Sequence, residues 1–315
     1  EAIAEQITNP SADRIAAEEA NYLSTSPWQI MTYAAENMFK KQITLDVMAH
    51  EKVALPAVAV TVAGTDQWAY RNKMEYSFWG DDEGLHLALH ERGSHGKQIV
   101  SGSRLAMPAV DAAAQAICAQ LTELQTRAGD LKTIVVRVNQ KGQAVAALFT
   151  KLTKFTELTL PPQLKGLRVY HSNPKSPASV PTELLQDIGD VQLQDDLLGQ
   201  KFTYDVDSFF QVNIPMFQTA LTRIKEQLIV PSVTDMYAGV GTIGLSVASE
   251  AATLVELDLA TATMAGLNAE SSPLITEVIQ TSAEKSLDYI TADQPVIVDP
   301  PRAGLHPKVT ARLLE

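Results

Sequence analysis

The chain has 315 residues, 45% of them apolar, with a formal charge of −12 and one cysteine, Cys118. That length suits two or three domains with real cores. The lone thiol excludes a disulfide framework and any cysteine-ligated zinc or iron–sulfur site within the chain, and the acidic balance argues against general nucleic-acid affinity while leaving room for a local basic patch.

No stretch of about 18 uncharged apolar residues exists, so no membrane span is expected. Residues 1–5 are acidic and lack a basic region followed by an apolar one, so they do not read as a signal peptide. A cytoplasmic address fits best. Ser24-Thr25-Ser26-Pro27-Trp28 reads as a polar turn. Over 34–53, Met38, Phe39, Ile43, Leu45, Val47 and Met48 with interleaved lysines predict a helix packed on one side. Residues 68–79 alternate in character from Trp68 and Tyr70 through Lys73 and Glu75, which predicts a strand; Gly80 to Gly84 is an acidic turn, and Leu85, Leu87 and Leu89 continue the hairpin. Residues 111–124 are rich in alanine and leucine and read as helix. Residues 133–138 and 143–150 read as strands around Lys141-Gly142. Residues 160–182, rich in Pro, Ser, Asn and Lys, read as loop or linker. No internal repeat is visible.

From about residue 198 a βαβ rhythm begins. A strand over 201–207 precedes Phe209-Phe210-Gln211-Val212-Asn213. Aromatics followed by amides could stack on and hydrogen-bond a ring; core packing plus a helix cap is the simpler alternative. A strand over 232–236 leads into Tyr237-Ala238-Gly239-Val240-Gly241-Thr242-Ile243-Gly244, with a helix expected from there to about residue 252. Further strands are expected over 254–257, 277–280 and 296–299, and a helix over 260–268. Strands alternating with helices imply a parallel sheet with a crevice at the strand ends.

Gly239, Gly241 and Gly244 form a G-x-G-x-x-G, whose glycines let the chain turn tightly and a ligand approach amides at a helix start. A dinucleotide is one reading. Asp235, at the end of the strand, would face a pyrophosphate unfavourably but suits a cationic amino or sulfonium group, which favours S-adenosylmethionine. Glu256 lies near the end of the next strand, where a carboxylate accepts from ribose hydroxyls; Asp258 competes for that role. Asp299-Pro300-Pro301-Arg302-Ala303-Gly304 follows the apolar run Val296-Ile297-Val298. A carboxylate there points into the crevice, and the two prolines stiffen the loop after it.

Taken in this order, Phe209 to Asn213, Asp235 to Gly241, Glu256 with Asn268, and Asp299 to Gly304 resemble the S-adenosylmethionine-dependent RNA uracil-5-methyltransferases. These enzymes make 5-methyluridine in tRNA and 23S rRNA. Trp68-Ala69-Tyr70-Arg71-Asn72-Lys73 resembles that family's central RNA-contacting domain, so the resemblance covers most of the chain. It implies an α/β fold: a Rossmann-like methyltransferase domain over 198–315 with an incomplete parallel-sheet core. An α+β RNA-binding domain over 34–197 and an N-terminal helical or extended segment over 1–33 would precede it. Carried over residue by residue, the donor site is Gln211, Tyr237, Thr242, Glu256, Ser282 and Asp299 with the Gly239 and Gly241 loop. The acid-to-Asn spacing favours Glu256 over Asp258. Arg71 and Lys73 would meet phosphates, with Trp68 or Tyr70 stacking bases. RNA is the implied partner; no obligate protein partner is evident.

The sequence departs from the family pattern in three respects. Nothing before Ser24 has the length of the small β-barrel many relatives carry. The stretch near Asn21 to Trp28 has no cysteines, so no iron–sulfur cluster is expected. The third departure concerns the nucleophile, since Cys118 lies on an apolar helix face and reads as a buried structural thiol. The resemblance then implies that the catalytic cysteine and general base lie beyond Glu315, leaving Asp299 as the loop carboxylate and Val296 to Val298 as an unpaired apolar edge. Two other readings stand beside this one. A methyltransferase acting on an exocyclic amine is disfavoured by Arg302, where such enzymes carry an aromatic. The other is a non-catalytic protein binding RNA and S-adenosylmethionine.

Overall fold

The computed structural model describes residues 11–54, 64, 66–94, 96–177, 179–228 and 231–315; the acidic start at residues 1–5 lies outside them. In chain order the elements are α1 (Tyr22–Thr25), α2 (Tyr33–His50), β1 (Lys73–Asp81), β2 (Gly84–His90), β3 (Lys97–Ile99), α3 (Pro108–Glu123), β4 (Leu131–Val138), β5 (Ala144–Thr150), β6 (Leu164–His171) and β7 (Glu183–Gly189). There follow β8 (Gln192–Leu197), β9 (Gln200–Asp205), α4 (Ile214–Gln227), β10 (Ser232–Met236), α5 (Thr242–Val247), β11 (Ala251–Glu256), α6 (Leu259–Glu270), β12 (Ile275–Gln280), β13 (Val296–Val298) and α7 (Pro307–Leu313). No helix among the described residues is long and apolar enough to cross a membrane.

Strands β1 to β7 form one sheet in the order β3-β2-β1-β4-β5-β6-β7, antiparallel throughout except for the parallel pair β5–β6. Pro108 opens α3, where its missing N–H costs nothing. The helix buries Val110, Ala113, Ala114, Ile117, Cys118 and Leu121, which recur at helical spacing, against one face of this sheet. Full burial of Ile117 or Leu121 stabilises by about 1.5–3 kcal/mol each. Strand β5 shows no apolar alternation because both its faces are covered. Ala144, Ala146 and Leu148 meet the α3 core, whereas Val145, Ala147 and Phe149 join a second core with Phe202, Tyr204, Leu221 and Leu254.

Strands β10 to β13 form a parallel sheet in the order β12-β11-β10-β13. The chain runs from β10 outward through β11 and β12, then returns to the other side of β10 as β13. The strand order therefore reverses between β10 and β13, and open α/β sheets bind ligands at such a switch point. Strand β13 pairs with β10 alone, so it is the sheet's edge among the described residues, with half-buried side chains.

Four expectations are corrected. The helix expected over 34–53 forms, but its apolar face is not packed: Met38, Phe39, Ile43 and Val47 are all exposed, and Ala35 and Glu36 are the buried residues. The strand expected from residue 68 begins at Lys73; Ala69 has φ 52° and gives its amide to the Arg104 carbonyl, which breaks the extended run. The loop expected over 160–182 contains β6, an interior strand. Gly166 lies in it because the Asp190 main chain crosses so close that a Cβ would sit 2.4 Å from its carbonyl carbon. The helix expected to reach residue 252 stops at Val247, and Ala251-Ala252, compositionally neutral, belong to β11.

Candidate functional site

Register builds the rim of the parallel sheet. Met236 of β10 lies opposite Val255 of β11 and Val298 of β13. The next residues, Tyr237, Glu256 and Asp299, therefore stand side by side at the carboxyl ends of three adjacent strands, at the switch point. Tyr237 is half-buried with φ 65°, a left-handed turn that ends β10. Asp299 is exposed. Glu256 is held from two sides: its Oε2 accepts the Gly239 amide at 2.9 Å and its Oε1 the Asp258 amide at 3.0 Å. Asp258 instead caps α6 by accepting the Thr261 amide at 2.8 Å. The geometry thus separates the two competing acids, with Glu256 at the rim and Asp258 a helix cap.

Asp235 is not at the rim. It is 1% exposed, and its Oδ2 accepts the Gly244 amide at 2.8 Å. Its Oδ1 has no hydrogen-bond partner. Burial raises its pKa to about 7; the Gly244 amide opposes the shift, and the nearby Asp299 and Glu256 add to it. The expectation that Asp235 meets a cationic ligand directly is corrected: it acts on the rim only through its field. No lysine or arginine forms an ion pair with Asp235, Glu256 or Asp299 among the described residues.

The glycines divide by role. The amides of Gly239, Gly241 and Gly244 are all taken by protein acceptors, Glu256, the Ala238 carbonyl and Asp235, which corrects the expectation that they face a ligand. A Cβ on Gly241 would lie 2.9 Å from Leu254, and one on Gly244 2.8 Å from it, so these two are glycine for packing. Gly239 alone has nothing within 4 Å of its Cβ position, which leaves the main chain beside Glu256 open to a ligand. Thr242 is the first residue of α5 and half-buried; Ser282, half-buried, precedes the single turn Ala283–Lys285 after β12. Asn268 donates to the carbonyls of Val240 and Thr203, both at 2.9 Å, and ties the glycine loop to α6 and β9.

The segment Phe209 to Asn213 is both core and cap, and a rim as well. Phe210 is buried and stacks on Tyr204 with ring centroids 3.9 Å apart. Asn213 caps α4 by accepting the Met216 amide. Phe209 is 66% exposed. Gln211 is half-buried, and its main-chain carbonyl accepts from the Asn72 side chain at 3.0 Å. Arg137, fully buried in β4, donates to the carbonyls of Ser208 at 2.9 Å and Phe210 at 3.3 Å.

Beside this segment lies a cleft of about 420 Å³ lined by Arg71, Lys73, Arg137, Phe209 and Val212 among others. Burial, then the Arg137 charge, lowers the Lys73 pKa to about 8. Two of the four residues expected to contact RNA therefore share one cleft with the Gln211 segment. The other two do not line it. Tyr70 faces a neighbouring cleft with Tyr33, Lys40 and Asn213, which Trp68 also lines, and the Arg104 guanidinium lies over the Trp68 ring at 5.8 Å. Cys118 is 4% exposed, and burial raises its thiol pKa to about 11. Asn72 and Arg137 were not singled out from sequence. The available signal was a lone arginine inside the apolar run Ile134-Val135-Val136-Arg137-Val138, which two-sided burial makes costly.

No family model matches the chain. A curated relative from Enterococcus faecalis, named an uncharacterized RNA methyltransferase, is 26% identical over 342 residues and covers 98% of this chain and 74% of its own length. A tRNA (uracil(54)-C(5))-methyltransferase from Pyrococcus furiosus is 36% identical over 123 residues, which is 38% of this chain and 29% of that protein. The chain is thus similar over nearly its whole length to a protein named an RNA methyltransferase, and over about a third of it to one named a tRNA uracil-5 enzyme. The fold has a counterpart among solved structures. The crystal structure of the Pyrococcus abyssi tRNA (uracil-54, C5)-methyltransferase, a complex with S-adenosyl-L-homocysteine, matches with a TM-score of 0.72 at 18% identity, over 98% of this chain and 75% of that one.

Proposed function

We propose that this chain binds S-adenosylmethionine at the rim of the parallel sheet and an RNA strand in the adjoining cationic cleft, for methylation of a uridine at carbon 5. One observation carries the reading. Three carboxyl groups, Asp235, Glu256 and Asp299, gather at the switch point with no lysine or arginine paired to them among the described residues, beside an open glycine main chain. A ligand with a sulfonium and an ammonium supplies the missing positive charge. The Glu256 carboxylate, preorganised by two amides, suits ribose hydroxyls, and Tyr237, Gln211, Thr242, Ser282 and Asp299 complete the proposed donor site.

When bound, the donor supplies an electrophilic methyl group. The chain's own residues bind and orient. Arg71 and Lys73 neutralise phosphates, and exposed Phe209 offers a ring for an unpaired base. The expected stacking partners Trp68 and Tyr70 would extend the RNA track along the neighbouring clefts. Asp299, exposed at the end of the edge strand, is placed to accept from a polar group of the base. Carbon 5 of uracil is a weak nucleophile and is activated when a thiolate adds to carbon 6. Cys118 is not that thiolate, because burial both encloses it and disfavours its ionised form. The covalent step is therefore assigned to no residue of this chain. A protein that binds RNA and S-adenosylmethionine without catalysis is the second reading. A cytoplasmic address, with tRNA or 23S rRNA as the substrate, belongs to the same proposal.

Calorimetric titration of S-adenosylhomocysteine and of NAD into the purified chain tests the donor site. Heat with the first and none with the second is expected; the reverse overturns the reading. Incubation of the purified chain with labelled S-adenosylmethionine and unmodified tRNA or 23S rRNA is expected to give no 5-methyluridine; its formation would overturn the statement that no residue of this chain carries the covalent step and would exclude the second reading.

A further inference from the structure

The segment proposed to carry donor-binding Gln211 is fastened by two residues of the first sheet's side, Arg137 in β4 and Asn72 just before β1. Arg137 takes the carbonyls of Ser208 and Phe210, and Asn72 takes those of Gln211 and Val212, the last through its main-chain amide at 3.0 Å. The two clamps are neighbours in the sheet: Lys73 lies opposite Arg137 in the β1–β4 register, and Asn72 gives its carbonyl to the Val138 amide. Asn72 also sits between Arg71 and Lys73, the cations of the cleft. Any phosphate drawn to those two side chains acts on the residues flanking the clamp.

Both clamp residues are more than nine-tenths buried, and each keeps an unpartnered polar atom, Asn72 Oδ1 and Arg137 Nε. The Arg137 guanidinium forms no ion pair among the described residues. Its compensation is two carbonyls and the Tyr204 ring, over which it lies at 5.4 Å, and its pKa is lowered to about 10, first by burial. Tyr204 in turn donates to Asp195 at 2.7 Å. A charge buried at this cost, with donors and acceptors left over, is held for position rather than for stability.

We propose that Asn72 and Arg137 are positioning residues through which occupation of the cationic cleft by a polyanionic strand tightens donor binding at Gln211. This rests on the proposed function. Arg137 lines the cleft and grips the donor segment at once, so ordering of the clamp by one ligand lowers the ordering left for the other. Linkage makes the effect reciprocal.

The test is calorimetric titration of S-adenosylhomocysteine with and without a saturating single-stranded oligouridylate, and of the oligouridylate with and without saturating S-adenosylhomocysteine. In the wild-type chain each ligand is expected to tighten the other by the same factor, about fivefold or more. Arg137→Lys keeps the charge but loses the two-carbonyl fork, and Asn72→Ser loses the side-chain donor to Gln211. Each is expected to weaken binding of the single ligands to some degree, and the reading is the ratio of affinities with and without the other ligand, which should fall to about one in both. Thermal unfolding identifies a variant that has merely lost its fold, and the other variant then carries the test. Binding of both ligands by the wild type without coupling overturns this inference and leaves the functional reading intact, as does coupling that survives in a folded variant. Binding of neither ligand by the wild type overturns both.

Discussion

Asp235 accepts the Gly244 amide at 2.8 Å with one carboxylate oxygen while the other, equally enclosed, has no partner. The pair joins the end of β10 to α5 and places a carboxyl group of raised pKa beneath the Glu256–Asp299 rim. Its folded pKa of about 7 lies above the ordinary aspartate value of 3.8, so the folded state holds a proton that the unfolded state has released between those values. Stability from this group is therefore greatest in acid and falls as pH rises from about 4 to about 7, by at most about 4 kcal/mol. Asp235→Asn removes that slope. Its melting temperature relative to wild type should rise between about pH 5 and pH 8, read by thermal unfolding at each pH; a constant difference would show that Asp235 is ionised throughout.

Substitution separates the glycines in the same way as the packing. Gly241 has φ 87° and Leu254 at 2.9 Å from its Cβ position, so Gly241→Ala combines backbone strain with overpacking, about 3 kcal/mol together. Gly239 has φ 58° and open space, so Gly239→Ala costs about 1 kcal/mol in urea denaturation yet intrudes on the proposed ligand face. Stability should rank Gly239→Ala above Gly241→Ala, while donor affinity falls in both.

Glu256→Gln keeps the shape and one carbonyl acceptor but loses the charge that two amides preorganise. Because hydrogen bonds to a charged group are worth about 1.5–3 kcal/mol, S-adenosylhomocysteine affinity should fall about tenfold to a hundredfold. Calorimetry reads this directly, and an unchanged affinity would remove Glu256 from the donor site. Asp258→Asn, which retains a capping side chain, should leave affinity unchanged.

Cys118 should be inert. With burial holding its pKa near 11, the thiolate is scarce at neutral pH, and iodoacetamide should label it only after unfolding, as mass spectrometry would show. Cys118→Ala should cost about 1 kcal/mol in packing and leave donor binding unaltered.

Reversing Arg71 should weaken RNA binding and lower the slope of log affinity against log salt by about one or more. Lys73, with its pKa brought down to about 8, should lose its charge as pH rises through that value, so RNA affinity should fall across about pH 7 to 9. Lys73→Arg, always charged, should flatten that dependence. Fluorescence anisotropy with a labelled oligouridylate measures both.

The local elements that carry the site were legible because each has a short, strong signal: the glycine spacing after β10, an acid at the end of β11, and the apolar run of β13 followed by Asp-Pro-Pro. The resemblance to the uracil-5 enzymes rests on these in order. Elsewhere local signals competed with tertiary facts. The stretch 160–182 reads as loop from its Pro, Ser, Asn and Lys, yet it holds β6, where Gly166 admits a crossing chain. Ala251 and Ala252 carry no period and take strand form from pairing with β10 and β12. The apolar residues of α2 read as a packed face and are exposed.

Sequence by itself determined which side chains end the parallel strands, since that depends on runs of neighbouring residues. Tertiary structure alone decided which of them meet. The return of β13 to the far side of β10 brings Asp299 beside Tyr237 and Glu256, and Asp235 sinks below them because the α5 turn needs an acceptor for the Gly244 amide. The same holds for the clamp on Gln211. Asn72 and Arg137 lie more than seventy residues before the carbonyls they hold, and contacts at such separation are set by how the two sheets share a core, which no local pattern encodes.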